Sequence, residues 1–321
     1  MSASLGKHLW LLFYVSLTAV LAYLSFVLWS GAGEAWGAAQ RVGLGGGAAL
    51  LGLSLLNYAV RFGRWQYYLN RLGYRVPLGP SVRYYLASFA FTATPGKLGE
   101  GVRSFYLKPH GVPFSASLSA LFVERLFDLT ATLILAALGV FYFGRYLPLV
   151  LIPVAVVGLI LVLLNSTAFR GWLRRFQMGR LSGILDTLDA AAVLSRGRLL
   201  VTGLLLSVLG WGAEALSFHV VVTSLGLELP PVASFGIYGL AISIGALSFL
   251  PGGLGGTEVT MIFLLGIGGA SVADAGAATI LLRLSTLWFA VVLGVFFALG
   301  LRRNAGIPVS AEPTTQLEKQ P

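Results

Sequence analysis

Four ionisable residues stand out because each falls within apolar sequence: Glu100, Arg125, Glu258 and Arg283. Glu100 precedes Arg125 by 25 residues, and Glu258 precedes Arg283 by the same interval of 25. Each glutamate closes a Pro-Gly motif. The first reads Pro95-Gly96-Lys97-Leu98-Gly99-Glu100, the second Pro251-Gly252-Gly253-Leu254-Gly255 with Glu258. An intramembrane charge costs at least about 2.5–3.5 kcal/mol on insertion scales, so unpaired ones are not expected. One reading is structural, with two salt bridges clipping each Pro-Gly segment to the helix that follows it. The other is chemical, since arginine binds phosphate bidentately and a buried carboxyl can exchange protons. A pair that opens when a substrate arrives would satisfy both.

Other charges cluster near the first pair. Glu124 and Asp128 flank Arg125 at helical spacing and are expected to share its charge. Lys97 and Arg103 are candidates for lining a cytoplasmic entrance, or for snorkelling to lipid headgroups. Glu214 and His219 sit in an apolar helix, where His219 reads as a satisfied core residue. The expected substrate-binding set is therefore Arg125, Arg283, Glu100, Glu258, Lys97, Gly96, Gly252 and Gly253. Glu124, Asp128, Arg103, Pro95 and Pro251 support it. No catalytic residue, metal or cofactor is expected. Cysteine is absent, there is no H-E-x-x-H, and the glycine-rich runs lack the strand-to-helix setting of a nucleotide loop.

These residues need elements to hold them. In hydrocarbon, backbone amides must be paired, so non-helical chain survives only inside protein or beside a wet cavity. Proline removes a donor and glycine permits turns that other residues resist, so both Pro-Gly motifs should break a helix. The simplest geometry is a re-entrant hairpin in each half: short helix in, turn, short helix out. The start of each returning helix, at residues 97–100 and 255–258, would then lie at depth, where free amides and the helix dipole attract anions.

Composition supports a membrane setting. Of 321 residues, 57% are hydrophobic and 11% charged, against about 25% charged in a soluble domain. The fold class expected is an all-α polytopic membrane protein with no room for a soluble catalytic domain. About six full spans, at 10–29, 42–60, 115–143, 147–164, 199–225 and 273–301, join two re-entrant Pro-Gly hairpins, giving eight or more hydrophobic segments. The first span reads as a retained helix rather than a cleaved signal. Residues 84–94 are too short to cross, and 232–269 is a broken segment. Residues 169–198 read as amphipathic and interfacial. Residues 1–302 form one membrane domain, and 303–321 a disordered cytoplasmic tail. The many Trp and Tyr residues read as interface anchors.

The formal charge of +10 does not imply nucleic acid, because the arginines lie between apolar runs. Arg61, Arg64, Arg71, Arg75 and Arg83 form one cluster, Arg170 to Arg198 another, and Arg302 with Arg303 follow the last span; the intervening loops carry only Arg41 and Arg145. The positive-inside rule then places both termini in the cytoplasm.

The chain also repeats itself. Gly73, Pro77 and Tyr85 have the mutual spacing of Gly226, Pro230 and Tyr238, ahead of the two Pro-Gly motifs. The copies, about 42–144 and 199–301, differ in charge: five arginines at 61–83 face no Lys or Arg at 214–236. Opposite charge bias implies opposite orientation, the inverted repeat common in transporters with a midplane site. A duplicated, purely structural bundle is the alternative.

These residues resemble a known family: the membrane region of lysylphosphatidylglycerol synthetase/flippase proteins and related standalone flippase-like proteins. The likeness rests on Arg83-Tyr84-Tyr85, the motif Thr94 to Glu100, Glu124-Arg125-Leu126-Phe127-Asp128, Leu250 to Gly255 with Glu258, and Arg283. It covers about residues 8–302. In fused members this region is thought to move aminoacylated phosphatidylglycerol across the bilayer, while a soluble C-terminal domain makes it. Only residues 302–321 follow the last expected span, so synthetase activity is not expected here.

The function expected is a lipid transporter or flippase in the cytoplasmic membrane. Its substrate would be an anionic, phosphate-bearing lipid of the aminoacyl-phosphatidylglycerol, other phospholipid or polyprenyl-phosphate type. Membrane lipids are the expected partners, with a separate lipid-synthesis enzyme as a further one. The alternatives are an intramembrane lipid-phosphate hydrolase or transferase, and a non-catalytic scaffold for a lipid enzyme.

Overall fold

A computed structural model describes the backbone of residues 3–143, 147–175 and 182–304, with side chains described mainly from residue 33 to 301. The expected span at 10–29 and the expected tail at 303–321 fall outside the fully described residues. Among the described residues every element is helical.

Helix α1 (Ala3–Arg71) is 69 residues long, about 100 Å at 1.5 Å per residue. The loop expected between residues 29 and 42 is not present. The helical run continues instead, interrupted at Gly43, whose φ of 67° is left-handed and is tolerated because glycine has no Cβ. After α2 (Leu78–Ser88) and a 3₁₀ turn at Phe89–Phe91, the chain reverses at Pro95 and returns through a 3₁₀ segment, Pro95–Val102, into α3 (Arg103–Leu107). Helices α4 (Phe114–Phe143), α5 (Leu147–Asn165), α6 (Thr167–Arg175) and α7 (Ser182–Leu194) follow. The second half continues with α8 (Gly197–Ser224), α9 (Pro231–Leu247), a turn at Pro251–Gly253 and α10 (Gly256–Ile267). A last helical run joins α11 (Val272–Arg283) to α12 (Phe289–Asn304) through a π segment, Leu284–Trp288.

Among the described residues, Gly33–Arg71, Gly197–Ser224 and Val272–Leu301 are long and apolar enough to cross a membrane. Val150–Asn165 with Thr167–Arg175, bent by 70°, makes a fourth if taken as one span. This is a helical membrane protein with three clear spans among the described residues, four at most on this criterion; one of the six expected spans, 10–29, lies outside the fully described residues. The difference lies partly in α4, whose 30 residues would reach about 45 Å but carry Glu124, Arg125 and Asp128 in the first half. Helices α9 and α10, with 17 and 12 residues, are each shorter than a hydrocarbon core of about 30 Å. They fold back on one another across the Pro251–Gly253 turn.

The pairing of the two halves is reciprocal. α4 packs along α9, and α12 along α2; α4 also packs on α8, and α11 on α1, while α1 and α8 pack on each other. Glycine allows the close approach of α4 to α9, and of α12 to the 3₁₀ turn that follows α2. A Cβ on Gly236 of α9 would stand 2.1 Å from the Gly139 Cα of α4, and one on Gly294 of α12 would stand 2.0 Å from the Ala90 nitrogen.

Charge is sorted between the ends of the bundle. Arg41 donates to Asp274 at 2.8 Å and to the Leu225 carbonyl at 3.5 Å, so the end of α8 and the start of α11 meet there. The exposed Arg71, Arg75, Arg83, Lys108, Arg196 and Arg198 lie at the other end, where Arg170 and Arg174 both hold Asp189. Arg61 and Arg64 do not join them. They are 4% and 0% exposed, which corrects their reading as loop arginines. Tyr68, Tyr85, Tyr238, Trp65 and Trp211 are likewise buried, and are not interface anchors.

Candidate functional site

Each Pro-Gly motif makes a left-handed turn. Thr94 is extended, Pro95 fixes the entry, and Gly96 and Lys97 follow at φ 58° and 57°. Only glycine takes that region freely, so Lys97 carries a local cost of about 1–2 kcal/mol. The Thr94 side chain secures the turn: its Oγ1 donates to the Phe91 carbonyl at 2.7 Å and accepts from the Gly99 amide at 2.7 Å, and the Lys97 amide donates to the Thr94 carbonyl at 2.9 Å. In the second half Leu250 is extended, and Gly252 and Gly253 follow Pro251 at φ 63° and 68°. The two turns touch. A Cβ on Gly96 would lie 3.6 Å from the Phe249 ring, and one on Gly252 would lie 3.6 Å from the Ala93 Cα.

Both glutamate–arginine pairs of equal spacing are ion pairs, but they differ in kind. Arg283 Nε lies 2.7 Å from Glu258 Oε1, and Arg283 Nη2 donates to the Gly252 carbonyl at 2.5 Å. Glu258 Oε2 accepts from the Gly255 amide at 2.7 Å and so caps α10. This end of the returning helix, expected to attract an anion, is thus occupied by its own carboxylate. The π segment after Arg283 leaves carbonyls outside the regular ladder, and α1 takes two of them. Ser54 donates to the Ser285 carbonyl at 2.8 Å and Tyr58 to the Thr286 carbonyl at 2.5 Å.

The first pair belongs to a network. Arg125 Nη2 stands 3.6 Å from Glu100 and 3.1 Å from Asp128, and Arg61 reaches the same two carboxylates at 3.7 and 3.8 Å. Arg64 holds Asp128 at 2.8 Å and donates to Ser207 of α8. Thr92 donates to Glu100. Nε and Nη2 of both Arg61 and Arg125 are buried without a hydrogen-bond partner. Asp128 therefore shares the charge of Arg125, as expected. Glu124 does not: it pairs with Arg103, both side chains fully buried, with the guanidinium 5.0 and 5.2 Å from the Trp65 and Tyr85 ring centres. Arg103 therefore lines no entrance.

The two turns and helices α1, α4, α8, α9 and the α11–α12 run enclose a cavity of about 260 Å³. Arg61, Lys97, Arg125, Arg283, Asp128 and Glu214 line its polar side, and Leu129, Ile242 and Leu287 contribute apolar wall. Leu247, Phe249 and Leu250 also line it and are 45%, 68% and 47% exposed, so its lip is apolar and open. Trp211 forms a platform: the Lys97 ammonium lies 5.2 Å from its ring centre and the Arg61 guanidinium 5.8 Å. Of the residues expected in the site, Arg125, Arg283, Lys97, Gly96, Gly252, Gly253 and Asp128 line the cavity; Glu100 and Glu258 are held by arginines that do. Arg61, Trp211 and Tyr58 line it without having been singled out.

A family model described as the lysylphosphatidylglycerol synthase transmembrane region matches residues 12–294. The chain belongs to that family. The family resemblance of the paired Pro-Gly motifs therefore holds across nearly the whole described chain. Among its relatives, a UPF0104 membrane protein of Methanocaldococcus jannaschii is 28% identical over 228 residues, covering 67% of this chain and 95% of that protein. One from Methanothermobacter thermautotrophicus is 31% identical over 103 residues, 32% of this chain and 30% of that protein. Glycosyltransferase AglD of Haloferax volcanii is 24% identical over 325 residues, 84% of this chain but 51% of that protein. The match thus spans less than a third of the second relative and about half of the third.

Proposed function

We propose that this family member is a flippase that moves an anionic, phosphate-bearing lipid across the bilayer, with the headgroup in the cavity and the acyl chains outside its apolar lip. The carrying observation is that Arg61 and Arg125 line the cavity and carry buried N–H groups that lack hydrogen-bond acceptors; Arg64, Arg103 and Arg283 carry such groups too, but Arg64 and Arg103 do not line it. A buried donor without an acceptor is costly, and guanidinium matches phosphate geometry. The charge count agrees: Arg61, Arg64, Lys97, Arg103, Arg125 and Arg283 are six cations against five carboxylates, Glu100, Glu124, Asp128, Glu214 and Glu258. Arg283 shares the cavity; its Nη2 donates to the Gly252 carbonyl, while its Nε makes an ion pair with Glu258 at 2.7 Å without a hydrogen bond. In this reading Arg125, Arg61 and Lys97 seat the phosphate, and Arg283 holds the second turn.

An inverted repeat fits the reciprocal packing of α4 on α9 and α12 on α2. With the arginine-rich end in the cytoplasm, residues 71–83 and 196–198 lie inside and the Arg41–Asp274 end outside. A separate lipid-synthesis enzyme would then supply the substrate on the inner face. Native mass spectrometry of the purified protein tests the substrate class. A retained lipid bearing phosphate is expected, lost on Arg125→Gln; a retained lipid without phosphate, or one indifferent to that change, contradicts the reading.

A second reading, an enzyme acting on lipid-linked sugars, is favoured only by the name of the Haloferax volcanii relative. Turnover of polyprenyl phosphate or phospholipid by the purified chain would support it.

A further inference from the structure

One buried carboxylate differs from the others at the cavity. Glu100, Glu124, Asp128 and Glu258 each have an arginine within 4.0 Å. Glu214 of α8 is 6% exposed and lines the same cavity. Among the described residues it has no ion-pair partner, and its one hydrogen bond among them comes from Tyr238, whose hydroxyl donates to Oε2 at 2.6 Å. A buried carboxylate held only by a neutral hydroxyl keeps unused acceptor capacity, and acceptors in low dielectric are costly when unfilled. Glu214 sits one helical turn beyond Trp211, the ring under Lys97 and Arg61. The acceptor is therefore close to the cations.

We infer that Glu214 is a specificity residue that selects a headgroup carrying hydrogen-bond donors, an ammonium or hydroxyls, linked to the phosphate. This rests on reading the cavity as a headgroup site. The cations would hold the phosphate, and Glu214 would accept from the group esterified to it. A cavity of about 260 Å³ has room for a small headgroup of that kind. Tyr238 fixes one oxygen of Glu214 and leaves the other for the ligand.

The test is binding of short-chain phosphodiester lipids to the purified full chain, followed by tryptophan fluorescence. Phosphatidylmethanol has the phosphodiester charge and no donor; phosphatidylglycerol adds hydroxyls, and phosphatidylethanolamine adds an ammonium. Wild type should bind one or both donor-bearing lipids about tenfold more tightly than phosphatidylmethanol, the scale of one charge-assisted hydrogen bond. Whichever of the two is preferred tells hydroxyl from ammonium. Glu214→Gln keeps the volume and the Tyr238 contact, and should erase the preference for donor-bearing lipids over phosphatidylmethanol. Equal wild-type affinity for all three lipids overturns the inference without any variant, as does a preference that survives Glu214→Gln. Arg125→Gln separates the two readings. It should weaken all three lipids alike, and if it weakens none, the phosphate seat fails while the Glu214 comparison still decides the headgroup question.

Discussion

Arg61 and Arg125 share one carboxylate oxygen, Oε2 of Glu100, at 3.7 and 3.6 Å. Neither distance is a hydrogen bond, so one anion at depth holds two guanidinium groups loosely. Asp128 is shared in the same way, at 3.8 and 3.1 Å. On the proposed reading, an incoming phosphate could take the place of Glu100 at both guanidinium groups without breaking a hydrogen bond to either, whereas Asp128 is also held by Arg64 at 2.8 Å. In the second half, by contrast, Arg283 is fixed by contacts of 2.7 and 2.5 Å. The two Pro-Gly turns thus differ in how tightly their arginines are held.

That difference predicts different outcomes for matched variants. Arg283→Ala leaves Glu258 buried and unpaired, which should cost about 3–5 kcal/mol and appear as a lower thermal midpoint in detergent. The double variant Glu258→Gln with Arg283→Gln removes the orphan charge and should recover most stability and most transport. The double variant Glu100→Gln with Arg125→Gln should also fold, yet lose stabilisation by added lipid. Equal lipid stabilisation in both double variants would remove the distinction.

The Arg103–Glu124 pair is closed off behind Trp65 and Tyr85. Glu124→Gln should therefore destabilise by about 3–5 kcal/mol, while flux per folded molecule stays at the wild-type level. A fall in specific flux with unchanged stability would tie Glu124 to transport after all.

Helix crossing makes a third prediction. Gly236→Ala drives a methyl into Gly139 of α4, and overpacking of this kind typically costs about 1–3 kcal/mol. Gly79→Ala meets nothing within 4 Å and should leave the thermal midpoint unchanged. Equal midpoints for the two variants would mean that α4 and α9 do not approach as described.

Topology is separable from these. Arg71 is at the end of α1, and Glu228 follows α8 near the Arg41–Asp274 end. Single cysteines replacing Arg71 and Glu228 should label from opposite faces with an impermeant reagent, Arg71 from the cytoplasm. Labelling of both from one face contradicts the inverted repeat.

Much of the site was legible in the sequence because charge and proline are costly in apolar surroundings. Pro95 and Pro251 mark both turns, and Glu100–Arg125 and Glu258–Arg283 meet as their spacing suggested. Arg61 and Arg64 were obscured by Arg71, Arg75 and Arg83, since a positive-inside count treats neighbouring arginines alike. A signal was available: Ser54, Asn57, Arg61 and Arg64 recur at three- and four-residue intervals along α1 and are all buried. A polar stripe at that period on an apolar helix faces the protein interior. Glu124 could not be assigned this way. It sits beside Arg125 in sequence but leaves the helix on another face, toward Arg103, a partner fixed only by how α3 packs on α4.

The central claim is tested most directly by lipid flux in proteoliposomes of known folded protein content. The readout is dithionite bleaching of NBD-labelled phosphatidylglycerol initially present in both leaflets. Wild type should bring the inner-leaflet probe within reach of dithionite, bleaching beyond the outer-leaflet half. Arg125→Gln and Arg61→Gln should each slow that phase at least about tenfold, the scale of losing one charge-assisted contact to phosphate. Bleaching that stops at half for wild type, as in empty liposomes, or flux in Arg125→Gln equal to wild type, would contradict the account.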